Sequence, residues 1–338
     1  LGISDLPAEQ ARGSVSWKIG DGTLLIYGTS GSGKSTALRT VAAALASATS
    51  PDETHLYALD FSTGSLRALD RLPHCGAVIS SQEPERVQRL IVMLERTLAA
   101  RTEQLTSAGV THIVEFRRQH PRHSAPDVVV LLDGFDGFVS AFEKIDFGSW
   151  VERFTEVVMR GRSLGVHFAV TASRANSVSS ALTSTAGQRV VLRMGNDDNN
   201  SALGMDSRVA RAMHLPPGRG FVGATVETQI AFVGEDPAGV QQIAALTELA
   251  DELSAKHPTA AVPEVGSLPA AVSRRDLTVG PELTVMLGIC QSTLEPKGFD
   301  LRDGNVLIAG PNRSGRSTAL ATLALSLRSS TPDARLIL

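Results

Sequence analysis

Gly28-Thr-Ser-Gly-Ser-Gly-Lys-Ser35 decides the reading of this chain. The eight residues fit G-x-x-x-x-G-K-[ST], where glycines let successive backbone N–H groups curl around a polyphosphate at a helix N-terminus. The flanks agree. Thr23 to Tyr27 (Thr-Leu-Leu-Ile-Tyr) reads as a buried strand, and Ser35 to Ser47 as an Ala/Leu-rich helix. In that setting the loop Gly28, Thr29, Ser30, Gly31, Ser32, Gly33, with Thr36 beyond it, forms the expected cradle. Lys34 reaches the β- and γ-phosphates, and the Ser35 hydroxyl ligates the metal. The expected cofactors are ATP and Mg2+.

Composition sets the frame. The 338 residues, 42% hydrophobic and 20% charged, describe an ordinary globular chain with ample core for one large domain or two modest ones. A net charge of −3 supplies no general electrostatic attraction to nucleic acid or an anionic membrane. Cys75 and Cys290 are far apart and offer neither metal spacing nor a disulfide framework, so a reducing compartment is expected. No stretch reaches the ~18 apolar residues a membrane helix requires. The first residue is Leu and the last residues read as a strand just begun, so an excised piece of a longer protein is expected.

Downstream of the loop, His55 to Asp60 reads as a second strand and Pro84 to about Ser107 as a long helix. Its stripe of Val87, Leu90, Ile91, Leu94 and Leu98 is packing surface. Asp127 to Leu132 is a continuous apolar run, the pattern of a strand buried on both faces of a parallel sheet. Asp133 then stands at its carboxyl end, where such sheets bind ligands, and is the expected second metal residue. Many hydrolysing ATPases place a glutamate general base next; here the residue is Gly134. Asp136 can compensate only if the loop turns it toward the γ-phosphate, so tight binding with slow or no turnover is expected. A strand over Gly165 to Thr171 puts Thr171 and Ser173 where they would sense the γ-phosphate. Arg160, Arg162 and Arg174 are read first as surface residues, with Arg162 and Arg174 as candidate arginine fingers toward a neighbouring subunit. His112, His120 and His123 match no standard metal spacing.

The segment from Asp303 to Leu320 repeats that from Asp21 to Leu38: Gly310 matches Gly28, Gly315 matches Gly33, and Ser317-Thr318-Ala319-Leu320 matches Ser35-Thr36-Ala37-Leu38. Arg316 replaces Lys34, and a planar guanidinium is no substitute for a compact ammonium between two phosphates. The expected domains are residues 1–233, a helical and Pro-rich linker over 234–281, and a truncated, degenerate second domain over 282–338. The fold class is α/β, with a mainly parallel central sheet flanked by helices, followed by the start of a second such domain.

These residues resemble the FtsK/SpoIIIE family of motor ATPases over nearly all of residues 1 to 233. The resemblance rests on the phosphate loop, Leu59-Asp60-Phe61, Val130 to Asp133, Gly161-Arg162-Ser163-Leu164-Gly165-Val166-His167 and Pro217-Gly218-Arg219-Gly220. It implies a RecA-like fold that often works in hexameric rings. DNA translocases of the family carry Asp-Glu at the second metal position and an Asp-Ser-Arg element later. Here the residues are Asp133-Gly134 and Asp198-Asn199-Asn200.

Those departures, with the tandem layout and the altered second loop, look more like the EccC/EssC branch, the membrane-anchored coupling ATPases of type VII secretion. Tandem FtsK/SpoIIIE-like proteins with forkhead-associated domains share the pattern. The branch implies other FtsK-like domains and a secreted polypeptide's signal segment as partners. It also implies a cytoplasmic location, with the membrane reached through other parts of the parent. A DNA translocase of the chromosome-segregation type and a non-hydrolysing ATP-binding scaffold remain the alternatives.

Overall fold

Buried apolar strands packed between amphipathic helices build most of this fold. The computed structural model describes residues 1–121, 125–206, 215–223 and 225–337. It divides into two compact units, Leu1–Val265 and Gly266–Leu338.

The first unit opens with a hairpin, β1 (Gly2–Leu6) and β2 (Ala11–Val15), and continues through β3 (Thr23–Tyr27), α1 (Lys34–Ala48), β4 (Thr54–Asp60) and β5 (Cys75–Ser80). Helices α2 (Pro84–Ala108) and α3 (Ile113–Gln119) lead to β6 (Asp127–Asp133), α4 (Phe135–Phe142), α5 (Ser149–Gly161) and β7 (Val166–Ala172). The rest comprises α6 (Ser180–Ser184), β8 (Ala186–Leu192), α7 (Asp197–Ala202), β9 (Arg219–Val222), β10 (Val226–Ile230) and α8 (Gly239–Lys256).

Ten strands form one sheet in the order β2-β1-β10-β9-β8-β3-β7-β6-β4-β5. The run from β8 to β5 is parallel, and β9, β10, β1 and β2 extend it in antiparallel fashion. The expected mainly parallel sheet is therefore present. Every residue of β3 is buried, as a central parallel strand requires.

Side-chain alternation splits the core into two layers. Leu25, Tyr27, Val130 and Leu132 face α2, α4 and α5. Leu24, Ile26, Val129 and Leu131 face α1 and α8. The sequence assigned α8 to a linker, yet Leu246, Ala250 and Leu253 bury against α1 within the first unit. An apolar stripe on an 18-residue helix is stable in water mainly when covered, and α1 covers it.

The second unit contains a hairpin, β11 (Thr284–Ile289) with β12 (Pro296–Asp300), and helix α9 (Arg316–Ser330). The Met286 amide donates to Ser326 Oγ at 2.7 Å, fastening α9 to β11. Hairpin, loop and helix thus recur in the order seen at β1–β2, Gly28–Ser35 and α1. No described helix is long and apolar enough to cross a membrane.

Candidate functional site

The site sits at the carboxyl ends of β3, β6 and β7. Residues Gly28 to Gly33 leave β3 with Ser30 and Gly31 exposed at the tip and Ser32 buried. Gly33, at φ +104°, caps α1, and a Cβ there would lie 2.7 Å from the Gly218 amide nitrogen. The approach is a bond as well as a contact, because the Gly218 N–H donates to the Ser32 carbonyl at 2.8 Å. Pro217-Gly218-Arg219-Gly220 is therefore a clamp on the phosphate loop. On the other side, the Thr29 N–H and hydroxyl both donate to the Arg193 carbonyl, at 2.9 and 3.1 Å.

Lys34 Nζ donates to the Gly28 and Thr29 carbonyls at 2.6 and 2.9 Å. Burial pushes its ammonium below the ordinary value, with Asp133 and Asp136 pulling the other way. The Ser35 hydroxyl donates to Asp133 Oδ2 at 2.5 Å. The Thr171 hydroxyl donates to Asp133 Oδ1 at 2.6 Å and accepts the Gly134 N–H at 2.8 Å. Thr171 thus acts on the carboxylate and holds it in place, rather than facing the loop on its own.

Asp133 has no solvent exposure. Burial drives its carboxyl above the ordinary range, against the Ser35 and Thr171 hydroxyls, and Asp60 reinforces the shift. Asp60 and Asp133 are register partners at the ends of β4 and β6.

The residues present fit a magnesium nucleotide. Ser32 Oγ is buried in the loop with no hydrogen-bond partner among the described residues. Ser35 and Asp133 supply the hard oxygen donors that Mg2+ prefers. A buried carboxylate whose charged form is penalised by burial is the kind of group a cation completes.

Gly134 occupies the left-handed region at φ +85° and caps α4, with its Cβ position 3.1 Å from the Phe61 carbonyl oxygen. A glutamate there would be strained. Asp136, in the first turn of α4, accepts the Ser173 N–H on Oδ2 at 2.7 Å. Its Oδ1 has no hydrogen bond, and Arg174 Nε lies 3.9 Å away.

Arg162 is elsewhere. Its Nε donates to the Gly20 carbonyl at 2.8 Å, at the amino end of β3. Asn199 Oδ1 accepts the Ala175 N–H at 3.0 Å, so the Asp198-Asn199-Asn200 stretch fastens α7 to the turn after β7. In the second unit Gly310, Gly315, Arg316, Ser317 and Thr318 are exposed. Gly315 (φ +90°) caps α9 as Gly33 caps α1, but Arg316 Nη2 donates to Asn312 Oδ1 rather than to loop carbonyls. His112 caps α3 and His120 stacks on Phe116, while His123 lies outside the described residues. No group of three or more His, Cys, Asp or Glu placed to hold a metal ion occurs among the described residues.

Asp60 received no role from the sequence. Its carboxylate accepts the N–H groups of Ser62, Gly64 and Leu66 and so shapes the loop beside Asp133. The signal was present, since Asp60-Phe61-Ser62-Thr63-Gly64 has the aspartate and small turn residues of an Asx-turn.

The site geometry has a family context. The model of the FtsK/SpoIIIE family matches residues 4–224. This chain belongs to the FtsK/SpoIIIE family. Among its relatives, the ESX-4 secretion system protein EccC4 of Mycobacterium tuberculosis is 29% identical over 331 residues, covering 96% of this chain and 25% of EccC4. The ESX-3 protein EccC3 of the same species is 32% identical over 352 residues, covering 97% of this chain and 24% of EccC3. The chain spans about a quarter of the length of these relatives. A solved structure of Thermomonospora curvata EccC (ATPases 2 and 3), in complex with a signal sequence peptide, superposes with a TM-score of 0.81 at 22% identity. It covers 97% of this chain and 60% of that one. At that identity the likeness is one of fold.

The family stretch Gly161 to His167 lies at the opposite end of the sheet from the phosphate loop. There Arg101, 6% exposed, donates to the Leu164, Gly165 and Pro126 carbonyls at 2.6, 2.9 and 2.5 Å. This FtsK/SpoIIIE signature is a structural knot, distinct from the nucleotide chemistry.

Proposed function

We propose that this chain binds Mg·ATP at Gly28–Thr36 as one domain of a tandem coupling ATPase, and that it links nucleotide binding to polypeptide export in a type VII secretion system. The observation that carries this reading is the Ser35–Asp133–Thr171 constellation beside Lys34, followed by Gly134 instead of a glutamate. Bound Mg2+ would supply a positive charge between the phosphates and the carboxylate. The chain's own residues do the rest. Lys34 donates toward the loop, Ser35 and Asp133 hold the metal, and Thr171 fixes the carboxylate. With no base at Gly134, Asp136 Oδ1, which carries no hydrogen bond, is the group left to orient a water, and turnover is slow or conditional.

The partner surface is a groove between α4 and α5, a cavity of about 550 Å3. Phe135, Val139, Val151 and Met159 line it, together with Glu152 and Glu156. An apolar segment carrying basic side chains complements that lining, and a secreted polypeptide's signal segment is the occupant we assign to it. Phe135 adjoins Gly134, so an occupant bears on the turn that holds Asp136. Further FtsK-like domains complete the assembly, on the cytoplasmic side of a membrane-anchored parent.

The test is steady-state ATP hydrolysis with no addition, with duplex DNA, and with a peptide from the C-terminus of a candidate secreted protein. The expected result is slow turnover, indifferent to DNA, raised by the peptide and abolished by Lys34→Ala. Strong DNA-stimulated turnover makes the chain a DNA motor and overturns the export reading. Binding without turnover in every arm makes the nucleotide a structural ligand.

A further inference from the structure

Arg39 lies on α1, one turn after Ser35, and is 6% exposed. Its Nη2 donates to Thr36 Oγ1 at 3.2 Å and to Gln242 Oε1 of α8 at 2.9 Å, and its Nη1 reaches the Ser65 carbonyl at 3.5 Å. All three partners are neutral. Among the described residues no carboxylate forms an ion pair with Arg39, and its buried Nε has no hydrogen-bond partner. A buried cation is costly unless an anion compensates it. Burial pushes the guanidinium below its ordinary value, with Asp133 the opposing charge at longer range.

Gln242, 2% exposed, is itself fixed, because Nε2 donates to the Pro237 carbonyl at 2.7 Å. One turn along α1, the Thr40 hydroxyl donates to the Ala231 carbonyl at 2.6 Å. Side-chain hydrogen bonds therefore sew residues 231–242, and with them the start of α8, onto the helix that begins at the phosphate loop.

We propose that Arg39 is a positioning residue of the nucleotide site, and that through Gln242 it couples nucleotide binding to the docking of α8. The inference rests on the nucleotide reading above. A polyphosphate on the loop supplies the negative charge that Arg39 lacks, so ligand and docked helix stabilise one another. By linkage, docking of α8 raises nucleotide affinity by the same factor by which bound nucleotide favours docking. The helix that precedes the second unit in sequence thereby reports whether the first loop is filled.

The experiment measures MgATPγS affinity, and hydrogen exchange over residues 239–256, in wild type, Gln242→Leu, Gln242→Glu and Lys34→Ala. Wild type should gain protection in α8 on adding MgATPγS. Gln242→Leu should bind roughly 5- to 10-fold more weakly, within the usual range of coupling, and lose the ligand-induced protection. Gln242→Glu gives Arg39 a carboxylate. It should protect α8 without ligand yet bind MgATPγS more weakly, an opposition that a merely structural contact does not produce. Wild-type affinity and wild-type ligand-induced protection in both Gln242 variants overturn the coupling while leaving the nucleotide reading intact. MgATPγS affinity equal in wild type and Lys34→Ala, or absent from both, overturns the nucleotide reading and this inference with it.

Discussion

Strand β6 begins and ends with an aspartate, and the two have opposite fates. Asp127 meets Arg117 in a two-point pair at 2.8 and 3.0 Å and His167 Nε2 at 3.1 Å. Burial pushes its carboxyl up, but the His167 and Arg117 hydrogen bonds and charges outweigh it, leaving the group below the ordinary value. Asp133, six residues on, is given two neutral hydroxyls and a neighbouring carboxylate, and it stays above the ordinary value. Strand β7 repeats the contrast, with His167 near one end and Thr171 near the other. One end of the sheet gives its aspartate two basic partners; the other leaves a carboxylate with hydroxyls alone in direct contact. The first arrangement holds the fold together, and the second is where a metal nucleotide gains most.

The contrast can be broken from either end. Arg101→Met removes a donor from the Leu164, Gly165 and Pro126 carbonyls, of which Gly165 keeps the Val128 N–H, and should cost about 3 kcal/mol, since an unsatisfied buried group costs roughly 1–3 kcal/mol. Urea unfolding measures that loss, and nucleotide affinity should not change. Lys34→Ala is its mirror image. Losing the charged donor should weaken Mg·ATP binding roughly 100-fold, about 2.7 kcal/mol, while the urea midpoint changes far less, because the half-buried ammonium goes together with its hydrogen bonds to the Gly28 and Thr29 carbonyls.

The two aspartates sharpen the comparison through pH. Asp127 has a depressed folded value, so its contribution is present above the unfolded carboxylate value and lost as pH falls through the folded one. Asp127→Asn should cost about 2 kcal/mol at neutral pH and flatten the acid limb of stability. Asp133 has a raised folded value, so the unfolded chain loses its proton first and stability falls as pH climbs between the two values. Asp133→Asn should therefore leave the nucleotide-free protein as stable or more so at neutral pH. A small cost is expected from Gly134→Glu. It should cost about 1 kcal/mol for a left-handed backbone and should not raise ATP turnover, because the backbone is shaped for glycine.

Much of this was legible in the residues. The loop Gly28 to Ser35, strand β6 and Asp133 follow from local pattern, because a motif fixed by phosphate chemistry and a strand buried on both faces both leave short-range signatures. The ladder from β8 through β10 to β1 was not legible. Short half-exposed segments such as Arg219–Val222 and Val226–Ile230 carry little periodicity, and only tertiary pairing defines them. The same limit hid Arg39 and Gln242, 203 residues apart and joined only by the docking of α8. Thr171 was placed at the right strand end, but whether its hydroxyl faces the loop or Asp133 depends on a side-chain direction that sequence does not encode. Arg162, read as a candidate arginine finger toward a neighbouring subunit, stands at the end of the sheet away from its own loop, with its Nε on the Gly20 carbonyl.

The most direct test is calorimetric titration of Mg·ATP and of metal-free ATP into wild type and Asp133→Asn. Wild type should bind saturably and gain affinity from Mg2+, and Asp133→Asn should keep the metal-free binding while losing that gain. Absence of binding to wild type, or a magnesium gain that survives in Asp133→Asn, would contradict the assignment of this end of the sheet to a metal nucleotide.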